Sequence, residues 1–233
     1  MSDEDPELLA LPADETSVSI SSPESGESLE IDGETQALEW HAPILVRIDE
    51  NTTIPHLLAR RVQRSARRPL IARKLEMGDT WQNMTAAEFY EDVQATAAGL
   101  IGLGLEQGDA LAIMSRTRYE WTLLDYASWC AGLLPVPIYE TSSGEQIEYI
   151  IQDANVRAVI TETVTQRELA ESACRRLGRS DITLLSLDAE AMQTIRDAGV
   201  TIPRTMVAQR TQALTTDDLA IIVYTSGTTG RPK

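Results

Sequence analysis

Two cysteines, two histidines and a single phenylalanine are spread over 233 residues, and aromatic residues make up only 5% of the chain. Cys130 and Cys174 lie far apart in sequence and have no CxxC spacing. That sets aside a disulfide framework or a thiolate metal site in favour of buried, idle thiols. His41 and His56 have no motif around them, so both read as surface or packing residues rather than catalysts. Basic charge is scarce as well: 20 Lys and Arg face 36 Asp and Glu, a formal net charge of −16. Binding nucleic acid by neutralising phosphates needs a basic face, so nucleic acid is excluded as a partner. Long apolar runs are missing too. The longest uncharged stretch, Tyr126 to Tyr139, has 14 residues and contains Pro135 and Pro137, too short and too broken for a transmembrane segment. The chain opens MSDEDPE, without the basic and apolar regions of a secretory signal, so a cytoplasmic protein is expected.

What is present is a globular composition, 42% hydrophobic, with its charge unevenly placed. Residues 1–39 hold 12 acids and no Lys or Arg, whereas residues 40–233 hold 24 acids and 20 bases. The acidic segment carries Pro6, Pro12 and Pro23 and no sustained apolar periodicity. It cannot bury enough surface to offset its ordering entropy, so 1–39 is expected to be a disordered acidic tail; the alternative is a docking tail for a basic partner. Residues 40–55 read as an extended lead-in punctuated by Pro43 and Pro55.

From Thr53 onward apolar strands and amphipathic helices alternate. Ile54, Leu57, Leu58 and Val62 have helical spacing up to Arg68. Arg60, Arg61, Arg64, Arg67 and Arg68 beside them read as an exposed face balancing acids elsewhere, with a phosphate- or lipid-holding role as the alternative. Thr80 and Trp81 suggest a short strand or hairpin. Thr85 and Glu88 make a capping box before a helix striped by Phe89, Val93, Leu100 and Ile101. Strands are expected at Leu111–Met114, Val136–Tyr139, Arg157–Thr161, Ile182–Leu187 and Leu219–Tyr224. The helices between them are Tyr119–Leu133 with Leu123, Leu124, Ala127 and Cys130 inward, Ser142–Asp153 capped by Ser142 with Glu145, and segments near 165–177 and 188–198. This order predicts an α/β fold with a mostly parallel sheet and flanking helices.

Two motif-like stretches fail on inspection. Gly102, Gly104 and Gly108 would need glycine in place of Gln107 to form a dinucleotide fingerprint, and they follow a helix rather than a strand. They read as a helix C-cap and a turn. A Walker A loop beginning at Gly227 would need glycine in place of Pro232. What survives is the run Tyr224-Thr225-Ser226-Gly227-Thr228-Thr229-Gly230-Arg231-Pro232-Lys233 after an apolar segment. Its glycines allow backbone amides to approach an anion, its hydroxyls add donors, and Lys233 supplies a charge suited to phosphate oxygens. Thr225, Ser226, Gly227, Thr228, Thr229, Gly230 and Lys233 are therefore the candidate polyphosphate-binding residues.

This run resembles the phosphate-binding signature of the adenylate-forming, AMP-binding superfamily. Arg118-Tyr119-Glu120-Trp121 and Pro137-Ile138-Tyr139-Glu140-Thr141-Ser142-Ser143 further resemble the bacterial long-chain fatty acyl-CoA synthetases. The resemblance covers roughly residues 40–233 and implies the N-terminal part of the large domain of an adenylate-forming enzyme. It also implies a two-step ligase that uses ATP with Mg²⁺ to convert a fatty acid to an acyl-adenylate and then passes the acyl group to coenzyme A. The substrates implied are fatty acid, ATP and CoA, and a peripheral membrane contact and a homo-oligomer stay open. Family chains are much longer. Because the adenine, ribose, metal and catalytic-lysine motifs lie downstream of the signature, no catalytic or metal-ligating residue is assigned and the 233 residues alone are expected to be inactive. The alternatives are a synthetase or adenylation domain for another carboxylic acid, and a non-catalytic partner of a full-length relative.

Overall fold

The computed structural model of the chain describes residues 52–74 and 80–225. The expected tail, the lead-in up to residue 51 and His41 lie outside the described residues. Helix α1 (Ile54–Ser65) opens on Thr53, whose hydroxyl lies 2.8 Å from His56 Nδ1, while the Thr53 amide donates to the same nitrogen at 3.3 Å. His56 is thus a buried capping residue, as a packing role requires. Pro55 belongs to the first turn of this helix, not to an extended lead-in; a proline is tolerated there because its missing N–H would have no intrahelical acceptor.

Strands β1 (Pro69–Lys74) and β2 (Trp81–Thr85) form an antiparallel hairpin, with Ile71 opposite Met84 and Lys74 opposite Trp81. Thr85 and Glu88 make the expected capping box, amide to carboxylate at 2.7 Å and amide to hydroxyl at 3.2 Å, and start helix α2 (Ala86–Gly102). The chain then alternates: β3 (Ala110–Met114), α3 (Tyr119–Cys130), β4 (Leu134–Ile138), α4 (Gly144–Asp153), β5 (Val156–Thr161), α5 (Val164–Leu177), β6 (Thr183–Ser186), α6 (Ala191–Gly199) and α7 (Arg204–Gln212). The four later strands form one parallel sheet in the order β4-β3-β5-β6.

The residues of β3 divide the core between the two faces of this sheet. Leu111 and Ile113 pack with Phe89, Val93, Leu124 and Ile195 beneath α2, α3 and α6. Ala110, Ala112 and Met114 pack on the other face with Ile147, Ile151 and Ala170 from α4 and α5. Helices on both faces of a parallel sheet make the three-layer α/β arrangement. Where β5 joins β3 a register shift follows the Ala110–Val156 pair, and the side chain of Arg157 is turned out to Asp181 at 2.7 Å.

Several expected boundaries move for identifiable reasons. Helix α3 stops at Cys130, not Leu133, because Gly132 takes φ +72° and Leu133 donates to Ser128 O at 2.8 Å, a Schellman closure. The cap of α4 is Ser143 with Gln146 instead of Ser142 with Glu145, since the Ser142 amide closes a turn onto Tyr139 O. Of the three glycines after the α2 stripe, Gly104 and Gly108 take positive φ as a cap and a turn require. Gly102 instead lies inside α2 against α6, where a Cβ would meet Ala198 O at 2.0 Å.

Helix α7 was not anticipated. Its sequence has little amphipathic pattern, and it is fixed by long-range bonds: Thr211 Oγ1 donates to Cys130 O at 3.0 Å and Arg210 to Leu105 O at 2.9 Å. The expected strand Leu219–Tyr224 is not a strand. The segment runs beside β4, but only Ile222 donates to it, at 3.1 Å to Pro135 O. The N–H and C=O of one strand residue point the same way, so Pro135 and Pro137 both face this edge without donors, and no ladder can form.

Candidate functional site

The carboxyl ends of the parallel strands are crowded with charged and aromatic side chains. After β3 come Ser115, Arg116 and Arg118; after β4, Tyr139 and Glu140; after β5, Glu162; after β6, Asp188. The chain leaves β3 to β4 on one side and returns to β5 on the other, so β3 and β5 flank the point where strand order reverses. Open α/β sheets bind ligands at that position.

Glu162 organises this edge. Its carboxylate is almost fully buried and accepts from Arg116 Nη2 at 2.6 Å, from Arg116 Nε at 3.0 Å and from the Arg116 amide at 3.0 Å. Hydrogen bonds from Arg116 hold its pKa below the ordinary carboxylate value against the opposing effect of burial. Arg118, the residue before α3, adds a second cation at 3.8 Å and also reaches Glu120 at 2.6 Å and Asp188 at 3.4 Å. Arg116 itself is 72% exposed, so its guanidinium is pinned on one side and open to solvent on the other.

Two clefts meet at Arg116. One, of about 780 Å³, is walled by the hairpin (Ile71, Arg73, Trp81) and by Arg116, Tyr119 and Glu120. There Arg73 stacks over the Tyr119 ring at 4.9 Å, and the Tyr119 hydroxyl donates to Asp92 at 2.6 Å. The other cleft, of about 300 Å³, is lined by Ser115, Arg116, Trp121, Ile138, Tyr139 and Tyr224. Cys130 and Cys174 are both buried away from these clefts, and burial pushes the Cys130 thiol up to about 12, which makes it inert.

Tyr224 joins the second cleft to the phosphate-loop candidates. Its hydroxyl donates to Asp153 Oδ2 at 2.6 Å, and its ring meets Tyr149 edge-on at 6.0 Å, so it is buried although Thr225 beside it is exposed. Upstream, Trp129 Nε1 donates to Ala220 O at 2.6 Å. Thr225 therefore emerges beside the carboxyl end of β4. The remaining candidates, Ser226, Gly227, Thr228, Thr229, Gly230 and Lys233, lie outside the described residues. Trp121 and Tyr139, part of the stretches that carry the family resemblance, line this second cleft with Tyr224. The Arg116–Glu162 pair was missed, because 46 positions separate its members and neither sits in a motif.

The class that the fold defines is a three-layer α/β protein with two clefts at the carboxyl edge of its parallel sheet, where open α/β sheets bind ligands. Comparison with known proteins narrows that class: residues 58–233 match the AMP-binding enzyme family, and the chain belongs to it. It is 37% identical over 155 residues to the long-chain-fatty-acid–CoA ligase FadD15 of Mycobacterium bovis, covering 66% of this chain and 26% of that protein. It is 30% identical over 190 residues to the long-chain-fatty-acid–CoA ligase ACSBG2 of Rattus norvegicus, covering 78% of this chain and 28% of that one. Among solved structures, the inhibitor-bound N-terminal domain of FACL13 from Mycobacterium tuberculosis matches with a TM-score of 0.60 at 25% identity, over 79% of this chain and 43% of that one. The chain thus spans roughly a quarter of the length of these curated relatives. Among the described residues, no helix is long and apolar enough to cross a membrane, and no group of three His, Cys, Asp or Glu could hold a metal ion.

Proposed function

We propose that the chain contributes to the ATP-binding lobe of a long-chain fatty acid–CoA ligase acting in the cytoplasm, with residues 40–233 forming part of its AMP-binding domain and residues 1–39 an acidic tail. The observation that carries this reading is the anchoring of Tyr224. It holds the start of the glycine–threonine run at the carboxyl edge of β4, beside a cleft with a guanidinium at its lip.

In this reading Thr225, Ser226, Gly227, Thr228, Thr229, Gly230 and Lys233 surround the β- and γ-phosphates of ATP. Backbone amides and hydroxyls donate to phosphate oxygens, and the Lys233 ammonium offsets their charge. This holds the α-phosphorus where a fatty carboxylate can attack, so the contribution of the loop is positional and electrostatic. Mg²⁺ would arrive on the phosphates and neutralise charge there; among the described residues no group of three His, Cys, Asp or Glu could hold the ion. Transfer of the acyl group to CoA draws on parts of the domain beyond this loop.

The test is hydrogen exchange of the purified chain with and without millimolar Mg–ATP. ATP should slow exchange in residues 224–233, and Lys233→Ala should remove most of that protection. A single charge-assisted contact contributes about 1.5–3 kcal/mol, a tenfold or larger loss of affinity. Exchange that ignores ATP in the native chain would end the proposal.

A further inference from the structure

Among the described residues, four cations (Arg73, Lys74, Arg116 and Arg118) and two carboxylates line the larger cleft. Both carboxylates are already engaged: Glu162 holds Arg116, and Glu120 accepts from Arg118 Nε at 2.6 Å. Donors remain over. Glu162 takes Nε and Nη2 of Arg116, so Arg116 Nη1 makes no hydrogen bond among the described residues. Arg73 gives its Nε to Gln82 at 3.0 Å and lays its guanidinium on the Tyr119 ring, and its two terminal nitrogens make none either.

These two guanidiniums are fixed in place before any ligand arrives. Arg116 is clamped by a carboxylate that is itself buried. Arg73 shares a face of β1 with Ile71, which packs on the core, and so rests on Tyr119, whose hydroxyl is tied to Asp92. A guanidinium that served only to balance charge would place its terminal nitrogens on an acid. Here two forks from different elements keep free edges at one cleft, an arrangement that suits anionic oxygens. Trp81, opposite Lys74 in the hairpin register, lines the same cleft and is 63% exposed. A bare indole in a charged cleft is a platform on which a flat ring can stack.

We propose that this cleft binds a purine nucleoside diphosphate, with Arg116 and Arg73 on its two phosphates and Trp81 against its base. A volume of about 780 Å³ lies within the range of small-ligand sites. The acids in its wall are neutralised by their own partners, so the cleft favours an anion. A phosphate alone would leave the indole unused, and an uncharged base would leave both forks unused; a nucleotide with two phosphates engages all three. The site is separate from the glycine–threonine run, because Tyr224, which anchors that run, lines the smaller cleft and not this one.

The experiment is photolabelling of the purified chain with 8-azido-ADP and mapping of the labelled peptides, alongside calorimetric titration with ADP. Label is expected in the peptide that contains Trp81, and ADP should compete with it where adenosine does not. Arg73→Gln and Arg116→Gln should each weaken ADP binding by about tenfold or more, the loss of a charge-assisted contact. Glutamine at 116 keeps a donor for the buried Glu162, and Arg73 bonds only at the surface, so at least one of the two variants should keep the native melting temperature. Trp81→Ala should weaken binding several-fold through lost stacking. Arg175→Glu, an exposed reversal on α5, should bind ADP as the native chain does. Absence of ADP binding, label confined to residues 224–233, or equal losses from Arg175→Glu and Arg73→Gln would overturn the proposal. Protection of residues 224–233 by Mg–ATP is read separately by hydrogen exchange, so failure of the ligase reading and failure of this site are told apart.

Discussion

Glu162, buried at the end of β5, holds Arg116 at the end of β3 through Nη2 at 2.6 Å and Nε at 3.0 Å, and thereby fixes the lip shared by both clefts. The same residue also ties in β6: its backbone amide donates to Met114 O at the end of β3 at 2.8 Å, and its carbonyl accepts from the Asp188 amide after β6 at 2.9 Å. One residue, through its side chain and its backbone, therefore links the ends of three strands.

Glu162→Gln should destabilise the protein by about 1–2 kcal/mol at neutral pH. The low end of the charge-assisted range applies because solvent around the exposed Arg116 screens the pair. Its folded pKa is lowered from 4.5, so the stabilisation is present above that value and is lost as pH falls below it. Denaturant titrations of native and variant protein should accordingly converge on acidification. A difference that persists unchanged well below pH 4.5 would show that the charge of Glu162 is not what holds Arg116.

Asp125 has the opposite sign. It is buried on α3, its Oδ1 has no hydrogen-bond partner among the described residues, and burial raises its pKa from 3.8 to about 6. A raised carboxyl contributes nothing adverse below 3.8 and becomes a growing cost as pH rises towards 6. Asp125→Asn should stabilise the protein above pH 6 by on the order of 1 kcal/mol, less than the full cost of the charge because the amide must also be desolvated. Below 3.8 the variant should gain nothing. A variant equally or less stable than the native protein above pH 6 would mean that the carboxylate has support the geometry does not reveal.

The contrast between these two carboxylates shows what could be read from sequence. The alternating order, the sheet class, the Thr85–Glu88 cap and the inward set Leu123, Leu124, Ala127 and Cys130 all follow from local periodicity and capping chemistry, and the structure has them. Residues that depend on distant partners left no such trace. Glu162 looks like any strand-end acid until β3 is placed beside β5. Helix α7 is fixed by carbonyls of Leu105, Ala131 and Cys130, far upstream. The Leu219–Tyr224 run has the composition of a strand, but whether it pairs depends on the neighbour it meets, and that neighbour presents two prolines. The phosphate-loop candidates were proposed from chemistry that is contiguous, ten residues in a row, so the proposal needed no tertiary placement.

Tyr224 links that contiguous motif to the fold. Tyr224→Phe keeps the ring against Tyr149 and removes only the hydroxyl that donates to Asp153, an exposed residue that water can satisfy. Global stability should therefore fall by no more than about 1 kcal/mol, a typical net value for one hydrogen bond. The larger effect should be local. Ile222 makes the segment's one backbone bond to β4, so without the Asp153 anchor the chain from Ile222 to Thr225 should open more often. Amide exchange at Tyr224 and Thr225 should accelerate several-fold more than exchange in β3 or β5, and protection of residues 224–233 by Mg–ATP should weaken with it. Should exchange rise equally across the whole sheet, Tyr224 is a general packing residue and not the anchor of the loop.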